Sequence, residues 1–166
     1  AARTASLSSD DWLVIHGVHL EDDHGVQGTL VHNPRSNMNN SVGYARPTRF
    51  SNRVALGTDG IGADMLDEFR LAFVRLRESD VEETPDTPWR WLGEGWQLFP
   101  EASNDRVTWS YPTMDSWHLA YSPGVSPTKV EMDGAVVWEH GAPTRVDALE
   151  IRAKAAEQAI RLHSRL

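Results

Sequence analysis

Three short apolar segments in the first 60 residues each end in polar residues. They are Trp12 to Ile15, followed by His16; Gly28 to Val31, followed by His32 and Asn33; and Arg53 to Gly57, followed by Thr58 and Asp59. Their apolar character is continuous rather than alternating, which is typical of parallel strands buried on both faces. Polar residues at the carboxyl ends of such strands form the active-site rim of an α/β barrel. The pattern therefore predicts an α/β fold that contains parallel barrel strands.

Two helices are predicted directly after the third segment. Leu66, Phe69 and Phe73 recur at helical spacing, which predicts a helix that begins near Asp64 and packs on the sheet. The Trp and Leu residues between Trp89 and Phe99 predict a second buried helix, which a proline ends.

The last third of the chain is predicted to contain strands and a final helix. The residues from Val107 to His140 are strand-like, and the Asp-Gly pair at positions 133–134 is the strongest short signal for a hairpin turn. Asp147, with Glu150 three residues later, predicts the capping box of a helix that runs to about His163.

Length and composition exclude several classes of protein. The 166 residues amount to about one domain, whereas a complete eight-stranded barrel has about 250, so we expect only part of a barrel. A net charge of −8 disfavours a nucleic-acid partner, and no apolar run approaches the roughly 20 residues of a membrane span. Because cysteine is absent, a metal would be held by His, Asp or Glu. The start lacks Met and a signal segment, so we expect a cytoplasmic protein whose chain continues before Ala1.

Asp59 is the first candidate for chemistry. A carboxylate next to glycine at the exit of a strand can bind a divalent cation, and it can take a proton from water and pass it to a leaving amine. The structural alternative is that Asp59 caps the following helix or closes a turn.

His16 and the polar residues from His32 to Asn40 are further candidates. His16 can bind metal or polarise a substrate oxygen, or it can be a hydrogen-bonded structural residue. The segment 32–40 is predicted to be a loop whose Asn33 and Asn37 bind substrate, unless they form Asx turns within the loop. Arg35 can bind an anionic substrate group or be a solvated surface charge.

The segments His32–Asn40, Leu56–Met65 and His16–Leu20 together resemble the metal-dependent amidohydrolase superfamily. Within it, the sequence is most similar to the deaminase and chlorohydrolase branch, which includes aminohydrolases associated with selenium metabolism. The resemblance implies the last three strands of a TIM-type (β/α) barrel, then strands of a small β-sandwich and a C-terminal helix. The implied boundaries are 1–103 for the barrel part, 104–146 for the sandwich part with its hairpin, and 147–166 for the helix.

The resemblance also implies roles for individual residues. His16 would contact the substrate or the attacked oxygen, Asn33 and Asn37 would contact the substrate, and Asp59 would be metal ligand and proton shuttle. The family binds one zinc, or iron, through an HxH pair, a further His and this Asp. No HxH pair precedes His16 here, so most metal ligands are expected outside this chain, and the isolated chain is expected to be inactive.

The sequence therefore predicts the C-terminal part of a hydrolase acting on carbon-nitrogen bonds other than peptide bonds, namely an aminohydrolase of a small heterocyclic amine. The alternative is a non-catalytic remnant, or half of a split enzyme, that associates with copies of itself or with a complementing N-terminal half. A third possibility is a small sugar- or ligand-binding β module formed by residues 107–140.

Overall fold

The computed structural model describes residues 9–113 and 115–165, which form two compact units. The first unit consists of the described residues up to Pro100 together with Thr113–Pro123, and the second consists of Glu101–Pro112 and the residues from Gly124 onward. Among the helices described, none is both long and apolar enough to cross a membrane. The sequence-based boundaries at residues 103 and 146 stay a prediction.

The first unit contains a three-stranded parallel sheet. Its strands are β1 (Leu13–Ile15), β2 (Thr29–His32) and β3 (Val54–Leu56), and they pair in chain order, with Ile15 opposite Val31 and His32 opposite Leu56. All three residues of β3 are buried, as continuous apolar character requires. The predicted α/β fold with a parallel sheet is confirmed.

Two long helices cover this sheet. Helix α2 (Met65–Ser79) begins where it was predicted, because the side chain of Asp64 accepts hydrogen bonds from the backbone of Leu66 and Asp67. Its apolar face is buried, with Phe69 fully inaccessible to solvent. Helix α3 (Asp86–Gln97) contacts both α2 and β3 and buries Trp91. These contacts form the core that fixes the ends of the strands.

Helix α1 (Pro34–Asn39) forms where the sequence predicted a loop, so that prediction is wrong. Pro34 occupies the first helical position, which suits its fixed φ, and the backbone N–H of Asn37 bonds the carbonyl of Asn33. The helix has only six residues, too few to show a helical period in the sequence.

Helix α4 (Ser116–Tyr121) interrupts the segment 107–140, which was predicted to be strand-like. Asp115 caps its amino end, and Leu119 is fully buried. Arg70 of α2 donates hydrogen bonds to the carbonyls of Leu119 and Ser122. Because these stabilising contacts come from distant residues, local patterns do not reveal the helix.

The second unit contains a four-stranded antiparallel sheet and a terminal helix. The strands are β4 (Arg106–Trp109), β5 (Pro127–Met132), β6 (Ala135–Glu139) and β7 (Ala142–Pro143), paired in chain order. Asp133 and Gly134 both have positive φ, as a tight hairpin turn demands. Helix α5 (Ala148–His163) is capped by Asp147. The predicted hairpin and final helix are confirmed.

Candidate active site

Two of the predicted site residues meet at the carboxyl end of the parallel sheet. His16 directly follows β1, and Asp59 lies three residues beyond β3. The imidazole Nε2 lies 3.7 Å from the carboxylate Oδ2, and the side chains are 38% and 42% exposed. Both residues have a left-handed backbone, with φ of 67° for His16 and 53° for Asp59. Non-glycine residues adopt this conformation at a cost, and aspartate and histidine adopt it more readily than most.

Asp59 is held by two hydrogen bonds. The hydroxyl of Ser36 donates to Oδ2 at 2.6 Å, and the backbone N–H of Gly60 donates to Oδ1 at 2.7 Å. These bonds, and more weakly the nearby His16, lower the pKa of the Asp59 carboxyl below its ordinary value. Asp59 is therefore ionised at neutral pH. The cap of α2 is Asp64, so the alternative that Asp59 caps that helix is wrong, whereas Asp59 and Gly60 do lie in a turn.

His16 is fixed from the side opposite Asp59 by two amides. Its Nδ1 lies 2.8 Å from Oδ1 of Asn37 and 3.4 Å from Nδ2 of Asn33. With its proton on Nδ1 the ring donates to the Asn37 oxygen, and with its proton on Nε2 the bare Nδ1 accepts from the Asn33 amide. Nε2 faces Asp59 in both tautomers. Both asparagines are 2% exposed, so they lie beneath the solvent-facing pair.

Gly57 gives Asn33 the space that it occupies. A Cβ atom at position 57 would lie 2.3 Å from Oδ1 of Asn33 and 2.9 Å from Cγ1 of Val31. Only glycine permits this approach, so the glycine that ends β3 determines the position of the amide beside His16.

Arg35 and His32 lie elsewhere. The guanidinium of Arg35 pairs with Asp67 and, at 2.7 Å, with the fully buried Glu68, so it joins α1 to α2 and is not a solvated surface charge. His32 is 1% exposed and packs edge-on against the rings of Tyr44 and Trp91. Burial, followed by the charges of Arg75 and His16, lowers its pKa to about 4.

Ser36 is a site residue that sequence reasoning missed. It is 1% exposed and hydrogen-bonded to Asp59, 23 positions along the chain. A serine in a polar segment is unremarkable by itself, and the only local signal is its position next to Asn37. The contact depends on α1, which the sequence did not predict.

Within the described part of the chain, no group of three or more His, Cys, Asp or Glu side chains is arranged to hold a metal ion. A catalytic zinc ion has three protein ligands, and the pair of His16 and Asp59 supplies at most two. These residues on their own therefore do not fit a complete catalytic metal site.

A cavity of about 350 Å³ opens at the other end of the sheet. Its lining includes Arg53 and Val54, at the amino end of β3, and Trp91 and Glu94 of α3. None of the predicted site residues lines it. The carboxylate of Glu94 pairs with Arg53 at 3.1 Å across this region.

Comparison with known proteins shows that the chain is similar in sequence and fold to hydrolases. No family model matches the chain. The 5-methylthioadenosine/S-adenosylhomocysteine deaminase of Shouchella clausii (strain KSM-K16) is 31% identical over 99 residues, which cover 52% of this chain and 22% of that enzyme. Among solved structures, an adenosine deaminase from Xanthomonas campestris with bound zinc aligns with a TM-score of 0.69, at 20% identity, over 96% of this chain and 44% of its own. An amidohydrolase from Brucella melitensis aligns with a TM-score of 0.71, at 18% identity, over 92% of this chain and 41% of its own.

The solved structures establish a shared fold, and the resemblance to the amidohydrolase superfamily is confirmed. Within that superfamily, the sequence likeness is to the deaminase branch. The chain spans less than half the length of each of these proteins.

Proposed function

We propose that this chain is the C-terminal part of a metal-dependent hydrolase of carbon-nitrogen bonds other than peptide bonds, and that its reaction is the deamination of a heterocyclic amine. The observation that carries the proposal is the solvent-facing pair of His16 and Asp59 at the carboxyl ends of parallel strands. The 31% identity to a deaminase supports the reaction class, and an adenosine-like ring is the substrate class that it favours.

We infer that β1, β2 and β3 are the last three strands of a TIM-type barrel. Their pairing in chain order supports this, because successive parallel strands are neighbours in a barrel, whereas a doubly wound sheet reverses its order. The antiparallel strands β4 to β7 would then belong to the family's small β-sandwich, with α5 as the closing helix.

Asp59 and His16 would divide the chemistry of hydrolytic deamination. The ionised Asp59 would accept a proton from the attacking water and return it to the leaving amine, which departs as ammonia. Nε2 of His16, on the same open face, would carry a proton and donate it in a hydrogen bond to negative charge that develops on the substrate. Asn33 and Asn37 were predicted to bind substrate, but their burial favours a role in which they orient His16.

We propose one divalent metal, with zinc ahead of iron, as the cofactor of the whole protein. Asp59 would be one of its ligands, and a set of three protein ligands requires at least one more from outside the described residues. The zinc reported for the Xanthomonas campestris deaminase supports this choice.

The test is ammonia release by the chain joined to, or expressed with, an N-terminal segment that carries an HxH pair. 5-Methylthioadenosine, S-adenosylhomocysteine and adenosine are the substrates to assay. Asp59→Asn should reduce ammonia release by at least a thousandfold, because the variant loses both a charge and a proton acceptor. Asp22→Asn is the matched control, since its side chain is 79% exposed and lies outside the pair. Equal activity of the two variants would remove Asp59 from the mechanism.

A second candidate function is association with another chain, and the exposed edge strand supports it. Trp12, Leu13 and Ile15 are 43%, 46% and 49% exposed at strand β1, which pairs only with β2 among the described strands. An apolar sheet edge of this kind favours pairing with a further strand. An adjacent reading frame that encodes the HxH half would favour a split enzyme over a non-catalytic remnant.

A further inference from the structure

We propose that Ser36 is a positioning residue that fixes the carboxylate of Asp59 in the orientation facing His16. The inference rests on the proposed function, because Asp59 must act in catalysis for its orientation to matter. The contacts that carry it are independent of any substrate or metal.

The bond from Ser36 reaches the oxygen atom that faces His16. The Ser36 hydroxyl donates to Oδ2 at 2.6 Å, and this same oxygen lies 3.7 Å from Nε2 of His16. The other oxygen, Oδ1, accepts from the backbone N–H of Gly60 at 2.7 Å. Each carboxylate oxygen therefore has its own donor, and rotation about χ1 of Asp59 would break both bonds.

A second hydrogen bond fixes the direction of the hydroxyl proton. The amide Nδ2 of Asn40 donates to the Ser36 oxygen at 3.3 Å. A serine hydroxyl has a single proton to donate, and Oγ is already accepting from Asn40, so the proton points to Asp59. Ser36 is 1% exposed, which shields this bond from competing water.

Asp59 needs such a fixed partner because its own surroundings hold it weakly. Its side chain is 42% exposed, and it lies on a turn between Thr58 and Gly60 with φ of 53°. An exposed aspartate on a turn samples several rotamers unless a buried group restrains it. In the described structure, Ser36 is the buried side chain that donates to this carboxylate.

Helix α1 relates Asp59 to His16 through two adjacent residues. Ser36 bonds Asp59, and Asn37 lies within hydrogen-bond distance of His16. The helix is itself anchored to α2, since the backbone N–H and Nε of Arg35 both donate to the buried Glu68. Asp59 and His16 are thus both held by one short, anchored helix, and their separation depends on Ser36.

The test is the χ1 rotamer distribution of Asp59, measured from three-bond scalar couplings by NMR on the 166-residue chain. The wild-type chain should show one dominant rotamer. Ser36→Ala should shift the couplings toward rotamer averaging, and Asn40→Ala, which leaves the hydroxyl in place, should produce a smaller shift in the same direction. Ser36 lies within α1 and Asn40 is its C-cap residue with φ of −88°, a conformation open to alanine, so both variants should keep the fold.

Ser116→Ala is the matched control. It removes another buried serine hydroxyl that donates to an aspartate, Asp86, and should leave the couplings of Asp59 unchanged. Wild-type couplings in Ser36→Ala, or equal changes in the two serine variants, would overturn the proposal. Because the measurement uses neither substrate nor metal, its failure is distinct from a failure of Asp59→Asn to abolish ammonia release.

Discussion

The conformation of single residues at the strand ends depends on glycine, and Gly57 is the case that lies beside the candidate site. Gly57→Ala should push Asn33 from its position beside His16, because the new Cβ would lie 2.3 Å from Asn33 Oδ1 and a 2% exposed side chain has little space to move. Overpacking of this kind costs about 1–3 kcal/mol of unfolding free energy. Urea denaturation measures the loss, and the side-chain amide signals of Asn33 report the displacement.

Gly93→Ala is the control for that substitution. A Cβ at Gly93 would meet nothing within 4 Å, and the residue lies inside helix α3. Alanine should therefore stabilise the chain by roughly 0.5–1 kcal/mol through its helix propensity. A Gly57→Ala variant as stable as the wild type, with unmoved Asn33 signals, would contradict the proposed close contact.

The buried His32 should make stability depend on pH. Its pKa is about 4 in the folded chain and 6.5 in the unfolded chain, so the unfolded chain binds more protons between these values. The free energy of unfolding should therefore be highest above pH 6.5 and should fall as the pH drops toward 4, by roughly 3 kcal/mol in total. His32→Leu should remove this part of the pH dependence, as urea denaturation at pH 7 and pH 5 would reveal.

The same substitution at His140 provides the comparison, because that side chain is 92% exposed. His140→Leu should leave the pH dependence as it is in the wild type. At pH 7, His32→Leu should cost little, since neither ring nitrogen of His32 has a hydrogen-bond partner within the described ranges. An unchanged difference between pH 7 and pH 5 in His32→Leu would show that this histidine is not the titrating group.

At the scale of elements, the two ion pairs of Arg35 fix α1 on α2. Glu68 is 0% exposed and accepts from both Nε and the backbone N–H of Arg35. Glu68→Gln should destabilise the chain by about 2–4 kcal/mol, because it leaves a partly buried guanidinium without its main partner. Chemical denaturation measures this loss.

Asp67→Asn is the control, because it alters the 47% exposed partner of the same arginine and should cost less than about 1 kcal/mol. Equal losses in the two variants would show that the buried partner does not stabilise the chain more than the exposed one.

Elements with long patterns or strong caps could be predicted from the sequence, whereas those fixed by distant partners could not. The three strands, α2 and the hairpin at Asp133 were predicted from continuous apolar runs, helical spacing and turn chemistry. Helix α1 depends on Glu68, and α4 depends on Arg70, each more than 30 positions away. No pattern within a short helix carries that information.

The candidate site divides in the same way. Asp59 and His16 were predicted because the carboxyl ends of parallel strands meet at one edge of a sheet, which needs only the order of the strands. The contacts of Ser36 and Asn37 depend on α1, so only the structure, and not the sequence, reveals them. Arg35 illustrates the same limit. The sequence allowed two roles for it, binding an anionic substrate group or forming a solvated surface charge, and the structure shows a third, an ion pair with the buried Glu68.

At the scale of the whole molecule, the described residues supply part of a candidate site and an edge strand, β1, with exposed apolar side chains. The adenosine deaminase and amidohydrolase structures that share this fold extend well beyond the aligned region, since this chain covers 44% and 41% of their lengths. Under the proposed function, a further segment beside β1 would supply the remaining metal ligands and would also cover the edge strand β1, which pairs only with β2 among the described strands. Catalysis and association would then be linked, because a parallel strand added beside β1 would also add polar residues at the carboxyl end of the sheet, next to His16.

The exposed edge of β1 should promote self-association when no such segment is present. Leu13 and Ile15 lie on one face of the strand, so Leu13→Lys should place a charge on the surface that would otherwise pair with another chain. Sedimentation velocity over a range of concentrations should show the wild-type chain forming larger species and Leu13→Lys remaining smaller. Val74→Lys is the matched control, because Val74 is 59% exposed on α2, away from the sheet edge, and its change should leave association as in the wild type. A wild-type chain that stays monomeric at every concentration, or a Val74→Lys variant that behaves like Leu13→Lys, would show that β1 does not mediate self-association.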